Sequence, residues 1–175
     1  MKRIALVLVP ILAAAPLAAA APALLTHFAP AALGGITGLI RYTVARPDRS
    51  ETRFVFLTTP TPGGLPEEVQ VVDPTLPDVQ LADVEGADCT LAHVEVVTGR
   101  RPLVISATRV PAARLEDNVQ SSPQPMNIRL YRPRTAGDTG QSQIVLAANG
   151  APTRTAPLCD LAAVRAAMLA ATKKN

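Results

Sequence analysis

Apolar and polar residues alternate with a period of two in several short segments, the pattern of a strand with one buried face. The segments that show it best are 40–44, 52–58, 68–72, 89–97, 103–110, 126–131, 143–148 and 153–158. Prolines, glycines and short polar clusters separate them, so the chain is expected to reverse after almost every strand. Seven to eight short strands at this spacing predict an antiparallel β-sandwich or barrel.

The strongest hairpin signal joins segment 89–97 to segment 103–110. Between them, Thr98-Gly99-Arg100-Arg101 supplies polar residues and a glycine at the point where the chain must turn back. Glycine favours such a reversal because it has no side chain to restrict the backbone. We therefore expect these two segments to pair as neighbouring antiparallel strands.

Near the C-terminus the apolar period changes to that of a helix. Leu161, Val164 and Met168 fall on one helical face, and the intervening alanines favour helix formation. Asp160 stands where an N-cap side chain would accept hydrogen bonds from the first turn. The sequence thus predicts one C-terminal α-helix packed on the sheet, and a mostly β (α+β) fold.

The N-terminal run is apolar without either period. No charged residue occurs from Ile4 to Ile40, and Lys2 and Arg3 come directly before this run. A positive start, an apolar stretch and the small residues at 18–21 match a secretory signal peptide, with cleavage expected after Ala20. An uncleaved membrane anchor is the alternative, but prolines and glycines interrupt any single helix here. We expect a periplasmic or extracellular protein with no stable membrane span after cleavage.

Three segments follow from this division. Residues 1–20 are the predicted signal peptide, 21–35 an Ala/Pro-rich leader expected to be disordered, and 36–175 a single globular domain. The last segment is of ordinary size for a domain and long enough to bury a core.

The chain has two cysteines, Cys89 and Cys159. In an exported protein a disulfide is the simplest use of such a pair, because oxidising compartments form and keep these bonds. A zinc site would need His93 and an acid as further ligands, and no recognised ligand spacing supports that set. The sequence therefore predicts a Cys89–Cys159 disulfide.

Charge excludes one class of function and divides the chain. Removal of residues 1–20 leaves 15 Lys and Arg against 14 Asp and Glu, with few aromatic residues, so we expect no nucleic-acid binding. Between Arg53 and Arg100 there are eight acids and no Lys or Arg, whereas bases predominate from Arg100 to Arg134. Opposite charges on paired strands would neutralise each other. A dipolar surface that steers a charged partner is the alternative.

Candidate chemistry is sparse. His93 could act as a general base oriented by Glu95, two residues along the same strand face, or it could be a partly exposed strand histidine beside an acid. The acids around Gly86, which are Asp83, Glu85 and Asp88, resemble raw material for a calcium site but fit no established loop. We therefore assign no catalytic, cofactor-binding or metal-binding residue and expect no cofactor.

The predicted layout is similar to that of lipocalin-like barrels, but the chain has no tryptophan and lacks their Gly-x-Trp signature. We therefore expect an exported, non-enzymatic accessory or binding domain whose partner is an unknown protein or small molecule. One alternative is a small-molecule-binding barrel with an apolar pocket that includes Phe54 or Phe56. A second is an enzyme of unrecognised type that uses His93.

Overall fold

A computed structural model describes residues 24–27, 33–45, 49–58, 62–111, 122–136 and 143–173. These residues form one sheet, curled into a half-barrel, with a C-terminal helix packed on it, as the sequence predicted. The elements are β1 Leu24–His27, β2 Ile36–Ala45, β3 Ser50–Thr58, β4 Gln70–Val72, β5 Ala82–Glu85, β6 Thr90–Val97, β7 Leu103–Arg109, β8 Gln124–Ala136, β9 Gln143–Ala148, β10 Thr153–Leu158 and α1 Leu161–Thr172.

Most neighbouring strands pair antiparallel in the order β1-β2-β3-β5-β6-β7-β8-β9-β4, and β10 pairs with β8. The expected hairpin is present as β6 and β7, with Val97 opposite Leu103. One pair departs from the antiparallel prediction, because β4 lies parallel to β9. Just before β4, the Val69 amide donates to the Phe56 carbonyl at 2.8 Å, so this segment also reaches β3.

The two faces of β7 and β8 have different roles. Alternate residues on one face, including Ile105 and Ile128, pack with Val164 and Met168 of α1 in one apolar core. The opposite face, which we call the inner face, contributes Val104 and Tyr131 to a second core with residues of β2, β3, β6 and β9. The period of two therefore supplies both cores from the same pair of strands.

The helix begins as predicted. The Asp160 side chain accepts hydrogen bonds from the amides of Ala162 and Ala163, at 2.8 and 3.1 Å. Val164 and Met168 are fully buried, whereas Leu161 is 36% exposed at the first turn. Among helices formed by the described residues, none has the length and apolar character needed to cross a membrane.

Two strands lie where no strand was predicted. β5 occupies part of the acidic segment, and β1 falls within residues 21–35 and pairs with β2. Leu33 is fully buried, and a Cβ added at Gly35 would lie 2.4 Å from Cδ1 of Ile144. The prediction of disorder is therefore wrong at residues 24–27 and 33–35. The predicted signal peptide, 1–20, lies outside the described residues.

Candidate functional site

A buried ion pair lies at the edge of the inner face. Asp73, which follows β4, has a fully buried side chain, and its Oδ2 accepts a hydrogen bond from Nη1 of Arg129 on β8. Its Oδ1 accepts from the amide and the hydroxyl of Thr75, at 2.8 and 2.6 Å. Burial acts to raise the pKa of Asp73, but the Thr75 hydrogen bonds and the Arg129 charge outweigh it, so the pKa is lowered. This carboxylate is ionised at neutral pH.

Two neutral side chains, Tyr131 and Ser106, lie next to this ion pair on the inner face. The hydroxyl of Tyr131, which is 1% exposed, is hydrogen-bonded to the side chains of Ser106 and Asp73. Burial raises the pKa of the Tyr131 phenol, so the group keeps its proton at neutral pH. The result is a fixed polar floor made from β7, β8 and the turn after β4.

A cleft of about 460 Å³, which we call the inner cleft, opens above this floor. One wall is formed by β7 and β8, and the other by residues 76–81, the segment that follows the Asp73 turn. Most of the residues that line it are polar or charged; they include Ser106, Thr108, Asn127, Arg129, Asp78 and Gln80. Its volume is in the range of small-molecule sites, about 300–1,000 Å³.

A second cleft, which we call the side cleft, adjoins the first and measures about 430 Å³. It lies against β3, where the buried Glu51 contacts Nε of Arg53 at 2.7 Å and Arg49 at 4.0 Å. The two clefts share four lining residues, which are Gln80, Ser106, Thr108 and Arg109. Ligand groups in one cleft would therefore lie close to the other.

The two phenylalanines that the sequence suggested for an apolar pocket do not line the larger clefts. Phe54 and Phe56 are 7% and 1% exposed and belong to the apolar core. The space beside them is about 160 Å³, well below that of either larger cleft. The larger clefts are lined without these phenylalanines, by a mixture of polar and apolar surface.

His93 lies in a different place, at the side of the sheet that carries α1. Its Nδ1 is 3.0 Å from Asp83 Oδ1 on β5, and its Nε2 is 3.0 Å from Glu95 Oε1. Glu95 also accepts a hydrogen bond from Nε of Arg165 on the helix. The hydrogen bond with Asp83 is the main cause of a raised His93 pKa, which burial opposes and Glu95 reinforces. Because both ring nitrogens contact carboxylates, the arrangement is that of a structural ion pair.

Two of the acids around Gly86, which the sequence offered as raw material for a calcium site, have separate hydrogen-bond partners. Asp83 Oδ1 accepts from the Val94 amide at 2.8 Å, and Glu85 accepts from the hydroxyl of Thr90 at 3.2 Å. Within the part of the chain that the structure describes, no group of three or more His, Cys, Asp or Glu is arranged to hold a metal ion.

The two cysteines form the predicted disulfide, with their Cα atoms 4.5 Å apart. Cys159 directly precedes the helix N-cap, and its carbonyl accepts from the Thr90 amide at 2.9 Å. The bond thus ties the start of α1 to the start of β6.

Sequence reasoning missed the residues of the clefts. Asp73 and Arg129 are 56 positions apart, and no local motif links them. Their only signal was the reversal of charge between the acidic and basic halves of the chain. The ion pair joins these halves, but it is buried and links the turn after β4 to β8, whereas the simpler interpretation of the charge pattern placed such pairs between neighbouring strands.

Comparisons with known proteins give a fold and no family. No family model and no curated protein matches the chain. Among solved structures, the crystal structure of a protein named CarG is similar, with a TM-score of 0.50 and 12% sequence identity. The alignment covers 72% of this chain and 81% of that one. At this identity the similarity extends to the fold alone.

Proposed function

We propose that the protein is an exported, non-enzymatic binding domain that holds a small molecule in the inner cleft. The observation that carries the proposal is the cleft itself: about 460 Å³ above a floor of buried, hydrogen-bonded polar groups. Its polar groups are held in place before any ligand arrives, so little ordering entropy is lost on binding.

Two features support the assignment to an exported protein. The N-terminal sequence has the three parts of a signal peptide, and the Cys89–Cys159 disulfide is a bond that oxidising compartments preserve. These two features together support a periplasmic or extracellular location.

The geometry at His93 favours binding over catalysis. A general base needs a nitrogen lone pair facing the substrate. Both nitrogens of His93 instead face carboxylates, and the raised pKa favours the protonated ring. His93 also does not line either of the two larger clefts.

Native mass spectrometry of the full-length protein, recovered unreduced from the envelope of its producing cell, tests the proposal. We expect a mass above that of the processed, disulfide-bonded chain. Thr108 is exposed and lines both clefts, so a Thr108→Trp variant should fill the space and lose the added mass. A wild-type mass equal to that of the bare chain, or an equal added mass in the variant, contradicts the proposal.

A further inference from the structure

Five basic side chains gather at one end of the sheet, which we call the basic end. Four are exposed and one is half-buried; the exposed ones are Arg100, Arg101, Arg134 and Lys173, and the half-buried one is Arg132. Two of the five lie in the turn that joins β6 to β7. Val104 of β7 is opposite Tyr131 of β8. Because β8 continues past this point, the antiparallel register sets Arg132 and Arg134 beside the same turn.

The helix brings Lys173 to this end of the sheet. The Cys89–Cys159 disulfide holds the start of α1 beside the start of β6, and Arg165 contacts Glu95 further along that strand. The helix therefore runs along β6 towards the β6–β7 turn. Lys173, the C-cap, lies roughly 12 Å beyond Arg165 along the helix axis.

The charge of the basic end is not balanced by nearby acids. Within the described parts of the chain, none of the five side chains forms an ion pair. Arg134 has one long contact, 3.5 Å, with the neutral Asn149 Oδ1. Exposed acids lie instead at the other end of α1, where Asp88 and Asp160 each adjoin a disulfide cysteine. The surface along α1 is therefore positive towards the β6–β7 turn and negative towards the disulfide.

An exposed apolar side chain accompanies these cations. Leu169 is 55% exposed and lies one turn before Lys173, so the two share a face of α1. Ala166 and Ala170 are exposed beside it. A protein that binds at a bilayer surface combines cations, which attract anionic headgroups, with apolar side chains that enter the boundary beneath them. The basic end offers both.

From this arrangement we infer that the basic end binds the anionic headgroups of a lipid bilayer, with Leu169 placed at headgroup level. In this orientation Asp88 and Asp160 lie at the far end of α1 from the bilayer, where their repulsion by the headgroups is weakest. The inference goes beyond the proposed function, because none of these residues lines either of the two larger clefts.

Vesicle binding tests the inference. The oxidised protein, recovered from the envelope of its producing cell, is titrated with vesicles of phosphatidylcholine alone and with vesicles of equal parts phosphatidylcholine and phosphatidylglycerol. We expect binding to the anionic vesicles that weakens as salt is added, because exposed charges are screened. The apolar N-terminal run would contribute equally to both kinds of vesicle, so their difference isolates the effect of charge.

A double variant of the β6–β7 turn locates the contact. Arg100→Gln/Arg101→Gln should weaken binding to the anionic vesicles about twenty-five-fold, which corresponds to about fivefold for each cation removed. Arg41→Gln/Arg154→Gln is the matched control, because these exposed arginines lie on β2 and β10. It removes the same total charge and should leave the affinity unchanged.

A second double variant makes the test independent of the turn. Arg134→Gln/Lys173→Gln removes two cations from β8 and α1 and should weaken binding by a similar factor. Circular dichroism checks the fold of each variant, and this one decides the matter where the turn variant does not fold.

Two outcomes would overturn the inference. Equal affinity for the neutral and anionic vesicles, or equal losses in the basic-end and control variants, would show that the basic end does not bind lipid. Sedimentation at low salt examines a second copy as the occupant. Association between copies that both basic-end variants abolish, without binding to the anionic vesicles, would assign the basic end to the acidic end of another molecule.

Discussion

Asp73 and Arg129 form a buried ion pair across 56 residues of chain, and the pair fixes the turn after β4 against β8. From this turn the chain continues into residues 76–81, which form one wall of the inner cleft. The ion pair therefore holds the wall formed by residues 76–81 in position relative to the wall formed by β7 and β8.

Replacement of Asp73 by Asn should lower the free energy of unfolding by about 3 to 5 kcal/mol, since Arg129 would keep its charge in a largely buried site. Urea unfolding measures this change. Asp78→Asn, five residues further on and exposed, should stay within about 0.5 kcal/mol of the wild type. Equal effects of the two substitutions would show that the ion pair does not hold the turn.

Reduction of the Cys89–Cys159 disulfide should cost roughly 4 kcal/mol of stability, because the bond closes a loop of 70 residues in the unfolded chain. Chemical unfolding with and without a reducing agent measures the loss. The double variant Cys89→Ala/Cys159→Ala is the control and should not respond to the reducing agent. Free thiols in freshly exported protein would contradict the prediction.

Met168→Ala should destabilise the protein by about 2 to 5 kcal/mol, because Met168 is fully buried between α1 and the sheet. Leu169→Ala is a matched control on the same helix, since Leu169 is 55% exposed. Its effect should be within about 0.5 kcal/mol. Thermal or urea unfolding of both variants measures the difference, and similar losses would mean that α1 does not dock through this face.

His93→Gln should destabilise the protein more at pH 5.5 than at pH 9. The groups that face His93 are Asp83, Glu95 and, through Glu95, Arg165. Because the folded pKa is raised, chiefly by the Asp83 hydrogen bond, the stabilisation is fully present below the unfolded value of 6.5. It is lost as pH rises through the folded pKa.

Urea midpoints of wild type and His93→Gln, compared across this range, test the sign. The difference between the two proteins should shrink steadily towards alkaline pH. A difference that grows with pH would mean that His93 is neutral in the folded protein and that its contacts with the carboxylates do not stabilise it.

The sequence by itself determined the features that depend on near neighbours or on a single possible pairing. The β6–β7 hairpin follows from a period of two on both sides of a glycine-containing turn, and α1 from its apolar spacing and the Asp160 cap. The Cys89–Cys159 bond follows because two cysteines allow one intramolecular pair. In each of these, the controlling interaction is local or has no competitor.

Tertiary structure alone decided the site. β5 lies in an acidic stretch with weak strand propensity and is held by pairing to β3 and β6. β4 runs parallel to β9, whose paired residues lie 75 positions further along the chain. The curl of the sheet brings Asp73 to Arg129 and sets residues 76–81 opposite β7 and β8. These contacts depend on how distant strands close around a common core, and the free energy of that closure is shared over the whole sheet rather than carried by any local pattern.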